Sequence, residues 1–157
     1  MTSEEEKSIN MAESFLHRAW NKLDEAREHL KKFNYPESIS ASQECIELSV
    51  KAIFLLFQKE YPRKHEFREE EFENILKMIP AKLKYKYLDI AKVYLYSKFW
   101  LQFYTVAKYG LEKLGIGADK LFEKEEADLA LKHADRCRFV ASQLLDYKRI
   151  EVKTSTS

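Results

Sequence analysis

Three features of the 157-residue sequence predict an all-α fold, an up-and-down four-helix bundle with an additional short helix. Gly and Pro number three each, against about 19 together at average usage, so few turns are available. Hydrophobic residues make up 45% and charged residues 34%, enough apolar material for one core and too much for a disordered chain. Apolar residues also recur every three or four positions over long stretches, which is the period of a helix face.

The first such stretch is Ile9, Ala12, Leu16, Ala19, Leu23, Ala26, Leu30, Phe33. It predicts a helix from about Ser3 to Phe33, with Ser3 and Glu6 in capping-box spacing and Asn34-Tyr35-Pro36 as the stop. A second helix follows Pro36, a residue suited to a first turn, and runs to about Glu60, ahead of Tyr61-Pro62. It carries two apolar stripes, so most of its circumference is packed and it is the central element. Only a narrow polar strip remains on it: Ser40, Gln43, Glu44, Glu47, Lys51 and Gln58.

Residues 61–69 read as a loop, and Glu70 to Ile79 as a short helix ended by Pro80. The next helix, Leu83 to about Ala107, holds Tyr85, Tyr87, Tyr94, Tyr96, Phe99, Trp100, Phe103 and Tyr104. So many aromatics exceed the needs of one small core and predict a homodimer seam; the competing reading is a platform for stacked bases beside Lys86, Lys92, Lys98 and Lys108. All three glycines fall at 110, 115 and 117, which makes Lys108 to Lys120 the expected mobile loop. A last helix is expected from about Glu123 to Tyr147, giving one domain over residues 1–147 and a flexible tail over 148–157.

Several function classes are excluded. A net charge of +1 does not support polyanion binding by bulk charge. The longest apolar run, Ala52 to Phe57, is six residues, against roughly 18 needed to cross a bilayer, so no membrane contact is expected. The N-terminal residues lack the basic-then-apolar order of a secretory signal, and a cytoplasmic location is expected. Cys45 and Cys137 read as buried thiols. The Gly cluster lacks a Walker ending, the histidines at 17, 29, 65 and 133 form no paired metal-ligand spacing, and no Gly-x-Ser-x-Gly elbow occurs. No metal, no cofactor and no catalytic residue are therefore assigned.

Gln43, Glu47 and Lys51 stand at i, i+4, i+8 on the polar strip, with Glu47 in the favourable order to pair with Lys51. A register-fixing ion pair and a ligand site both fit that spacing. The surrounding segment from Glu37 to Leu56, ESISASQECIELSVKAIFLL, resembles the signature helix of HEPN (higher eukaryotes and prokaryotes nucleotide-binding) domains at Gln43, Glu47, Lys51 and Ala52. The preceding AWNKLDEAREHLKKFNYPES resembles that family's first helix, and Lys64-His65-Glu66-Phe67 stands where the family has His-Asp-Leu. Ala107-Lys108-Tyr109-Gly110 takes the place of its Arg-Tyr-Pro, and EEADLALKHADRC resembles its alanine-rich last helix, so the likeness spans most of residues 12–147.

The resemblance implies a dimerising bundle in nucleotide or RNA biology, often paired with a minimal nucleotidyltransferase in a toxin–antitoxin-like couple. Many members are ribonucleases that use an Arg and a following His with four to six residues between them. No His of this chain has an Arg five to seven positions upstream, and Lys108 replaces the Arg of Arg-Tyr-Pro, losing a planar phosphate fork. The function expected is thus a non-catalytic nucleotide- or RNA-associated binding protein, with ligand-binding candidates Gln43, Glu47, Lys51, His65, Lys108 and Tyr109. The alternatives are a ribonuclease with an altered site built from Lys108, His65 and Glu47, and a structural helical adaptor.

Overall fold

The computed structural model describes the backbone of residues 3–156 and the side chains of residues 4–154. The order is α1 (Ser3–Lys31), α2 (Tyr35–Gln58), α3 (Glu69–Met78), a 3-10 segment (Ala81–Lys86), α4 (Tyr87–Leu101), α5 (Tyr104–Tyr109), two 3-10 turns (Glu112–Leu114 and Ala118–Lys120) and α6 (Lys124–Thr156). The fold is all-α. The capping role expected of Ser3 falls outside the described side chains, and Ser157 outside the described residues.

Cross-helix contacts fix the directions of the four long helices. Between α1 and α2 the Ser38 hydroxyl donates to the Ala26 carbonyl at 2.8 Å and Lys22 meets Glu44 at 3.0 Å, a pairing that runs antiparallel. Between α4 and α6, Trp100 bonds His133, Arg136 bonds Tyr96 and Lys86 bonds Gln143, again antiparallel. Cys45 lies by Ala134 and Phe57 by Lys148, so α2 and α6 run the same way. The helices therefore alternate up, down, up, down. The short α1–α2 connection, residues 32–34, makes those two helices antiparallel neighbours, whereas longer segments carrying α3 and α5 join α2 to α4 and α4 to α6.

The central position of α2 follows from its sequence. Pro36 occupies its first turn, and it ends where Lys59 turns left-handed at φ 62° and donates its N–H to the Leu55 carbonyl. Between these ends it buries Ile39, Cys45, Ile46, Val50, Ile53 and Phe54 against α1, α6 and α4. Ala12, Ala19 and Ala26 on α1, and Ala127, Ala130, Ala134 and Ala141 on α6, have no exposed surface. These small residues let the backbones approach closely. Cys45 and Cys137 are buried free thiols; burial pushes Cys45 up to about 12 and Cys137 well above its ordinary value.

Three boundaries differ from the sequence reading. The aromatic helix expected from Leu83 to Ala107 starts as a 3-10 segment and breaks at Gln102–Phe103, where Phe103 packs on Trp100 and Phe122 and the chain turns into α5. The segment expected as a loop from Lys108 to Lys120 is hydrogen-bonded, with a two-way bridge between Leu111 and Ile116. The last helix does not stop at Tyr147 but runs to Thr156. It continues because no Gly or Pro follows Tyr147, Tyr147 packs against the core, and Lys148 covers the Phe57 ring at 5.1 Å.

The aromatic surplus is also smaller than its count suggests. Tyr96 and Trp100 are buried, and Tyr94 and Phe103 pack against the core. Tyr85, Tyr87 and Phe99 remain exposed.

Candidate functional site

The polar strip of α2 has two neighbours, the 61–68 loop and α5. The loop is held at both ends of its basic run. Phe67 is buried and stacks on Phe54 at 5.7 Å, and Lys64 meets Glu71 of α3 at 3.0 Å. Burial pushes the Glu71 carboxyl up, but the Arg68 backbone N–H and the Lys64 ammonium outweigh this and hold it below its ordinary value. With the loop fixed, His65 reaches back to α2, where its Nδ1 contacts the Glu47 carboxylate. An acceptor-only carboxylate places a proton on Nδ1 and leaves Nε2 as the second functional atom of the ring.

The break before α5 brings in the rest. Tyr104 stacks on His65 with ring centroids 5.4 Å apart and planes 26° apart. One helical turn later Lys108 donates to the Tyr104 hydroxyl at 2.8 Å, its ammonium 4.2 Å from the ring centroid. That hydrogen bond raises Lys108 above its ordinary value. Gly110 then ends α5 at φ 74°, and a Cβ there would lie 2.3 Å from the Ile116 carbonyl oxygen, so the backbone beyond Lys108 is tightly fixed. Lys108 also borders a cleft of about 340 Å³ between α1, α2 and α5, lined by Lys22, His29, Ser40 and Glu44 among others.

Of the sequence candidates, Glu47, His65 and Lys108 are thus brought together, joined by Tyr104. Lys51 is not: no ion pair links it to Glu47 among the described residues, and its ammonium lies 5.8 Å from the Tyr61 ring centroid. Tyr61 is also covered by Arg63 at 5.5 Å. Gln43 is buried, and its Oε1 has no hydrogen-bond partner among the described residues. Tyr109 is 62% exposed at the end of α5. Sequence reasoning missed Tyr104, placing it only among the aromatics although it stands four residues before Lys108. It also missed Lys22 and Glu44, which only the packing of α1 on α2 brings to the cleft.

The cluster has a defined chemistry. Lys108 offers a compact positive charge, His65 a ring nitrogen in a set tautomer, and Glu47 the anchor that orients it. A phosphate oxygen suits the first two groups, and a proton acceptor or donor is available beside it. The described residues hold one close group of three acidic side chains, Glu123, Glu125 and Glu126, which stands elsewhere, at the start of α6.

The comparisons with known proteins agree with this architecture. No curated protein matches the chain. The crystal structure of TT1696 from Thermus thermophilus is similar in fold, with a TM-score of 0.64 at 18% identity, covering 86% of this chain and 98% of that one. Among the described residues, no helix is long and apolar enough to cross a membrane. Residues 12–141 match the HEPN domain model, which spans most of the chain, and the protein therefore belongs to the HEPN domain family.

Proposed function

We propose that this protein is a non-catalytic nucleotide- or RNA-associated binding protein that receives a phosphate between Lys108 and His65, and that it works beside a minimal nucleotidyltransferase. The observation carrying the binding function is the convergence of His65 and Lys108 on Tyr104 above Glu47. Three separate elements supply these groups, and a cation held by a tyrosine hydroxyl instead of a carboxylate keeps its charge for a ligand. Family membership supports the choice of ligand class, and the absence of an Arg-to-His spacing supports binding over cleavage.

The Glu47–His65 contact favours a second reading, RNA cleavage by an altered site. In that reading His65 Nε2 takes the proton of a ribose 2′-hydroxyl, whose oxygen attacks the adjacent phosphorus, while Lys108 stabilises the added negative charge and the 5′-oxygen leaves with a proton from water. One assay separates the two. Labelled single-stranded RNA is incubated with wild type and with the His65→Ala, Lys108→Ala double variant, and both retention and fragment length are read. Binding proper to the wild type with intact RNA is the expected result. Fragments produced by wild type and lost in the double variant would replace binding with cleavage.

A further inference from the structure

The outer face of α4 carries an apolar line that is largely exposed. Leu88 is 63% exposed, Leu95 57% and Phe99 40%. At about 100° per residue these three fall within a sector of roughly 40°, over about 16 Å of helix. The opposite face of the same helix already buries Ile90, Val93, Tyr96 and Trp100, so the core does not need the outer line. Lys92 and Lys98 flank it on either side by the same geometry, and exposed Lys84 and Tyr85 stand at its N-terminal end.

Charge is segregated here as well. Residues 81–109 contain six lysines and one aspartate in a chain whose net charge is +1. The aspartate, Asp89, faces Lys86 at 3.8 Å. Lys84, Lys92 and Lys98 have no ion pair among the described residues.

We propose that this face docks an acidic amphipathic helix of a partner protein, whose apolar residues cover Leu88, Leu95 and Phe99 and whose carboxylates meet Lys84, Lys92 and Lys98. Steps of seven and four residues along one line are the pattern into which the side chains of a second helix interdigitate. Cations flanking such a seam select the charge of the partner and its register. A second copy of this chain is the poorer occupant, because apposed α4 faces would set lysine against lysine. Single-stranded RNA is poorer too, since Leu88 and Leu95 provide no ring and the exposed rings of Tyr85 and Phe99 stand at opposite ends of the line, not in succession for adjacent bases to stack on. The line is short, so the contact is a weak and exchanging one.

The test uses a synthetic amidated helix of about 18 residues, with three leucines at seven- and four-residue spacing, glutamates on both flanks and alanine elsewhere. A twin carries lysine in place of every glutamate. Fluorescence anisotropy should show that the glutamate peptide binds wild type and weakens as salt rises, and that the lysine peptide does not bind. Leu95→Glu should reduce affinity at least about tenfold, as should Lys92→Glu with Lys98→Glu; Leu95→Ala, which leaves the charge unchanged, should give a smaller loss in the same direction. Circular dichroism confirms that each variant keeps its helices. Equal binding of the two peptides, absence of binding by both, or indifference to Leu95→Glu would overturn the proposal. So would a dimer mass by light scattering that Leu95→Glu abolishes, since a second copy would then be the occupant, or RNA retention lost in Leu95→Glu.

Discussion

Gln43 is the residue where sequence and packing pull in different directions. Its place on the polar strip of α2 marks it as a surface or site residue, yet it is buried with Oε1 unpaired. A buried acceptor left without a partner costs about 1–3 kcal/mol. Gln43→Met keeps the length and removes that cost, so chemical denaturation should show unfolding free energy unchanged or raised by up to about 1 kcal/mol. A loss of stability would mean that the amide contributes to the fold. Lys51 illustrates the same limit of one-dimensional spacing. The i, i+4 order that favours a Glu47–Lys51 pair holds for a free helix, but His65 from a loop takes Glu47 and Tyr61 receives Lys51. Nothing in the sequence ranks a long-range partner above a local one. The Glu47, His65 and Lys108 combination was legible as residue types and as a family likeness; Tyr104 was not, because its role depends on the break that turns α5 toward α2.

At the scale of elements, α5 is held by the residue that follows it. Gly110 has φ 74° and no room for a Cβ against the Ile116 carbonyl oxygen. Gly110→Ala should cost about 1–3 kcal/mol of stability, read from thermal or urea unfolding, and should shift Lys108 from its position beside Tyr104. Stability equal to wild type would show that the segment relaxes without strain. The α4–α6 contact has its own sensitive point. His133 stacks on Tyr96 at 3.8 Å and accepts the Trp100 indole N–H through Nδ1 at 2.9 Å, an arrangement that requires an unprotonated Nδ1. Burial, then the charges of Arg136 and Lys132, hold its imidazole below the ordinary value. The unfolded chain therefore takes up this proton first as pH falls. The contribution is fully present above about pH 6.5 and is lost progressively as pH drops from there through the lower folded value. Urea midpoints should decline over that window in wild type and decline less in His133→Gln. Equal declines would remove His133 as the cause.

For the molecule as a whole, composition and helix period were enough to read the bundle, because six glycines and prolines leave few places to turn. The positions of those turns were less legible. The break at Gln102–Phe103 contains neither Gly nor Pro, and it is the packing of Phe103 between Trp100 and Phe122 that accompanies it. The run of α6 to Thr156 likewise rests on tertiary contacts with α2. The first feature bears on function, because it delivers Tyr104 and Lys108 to the α2 strip. The bundle thereby sets a basic, partly aromatic cluster at the meeting of α2, the 61–68 loop and α5.

Calorimetric titration of a short single-stranded RNA and of its mononucleotides into wild type, Lys108→Met and Lys51→Met tests that cluster most directly. A charge-assisted hydrogen bond to phosphate contributes about 1.5–3 kcal/mol, so Lys108→Met should weaken binding by about tenfold or more. Lys51→Met, which acts at the Tyr61 ring, should weaken it by less than about threefold. Identical affinities for wild type and Lys108→Met, or a larger loss in Lys51→Met, would contradict a ligand site built on Glu47, His65, Tyr104 and Lys108.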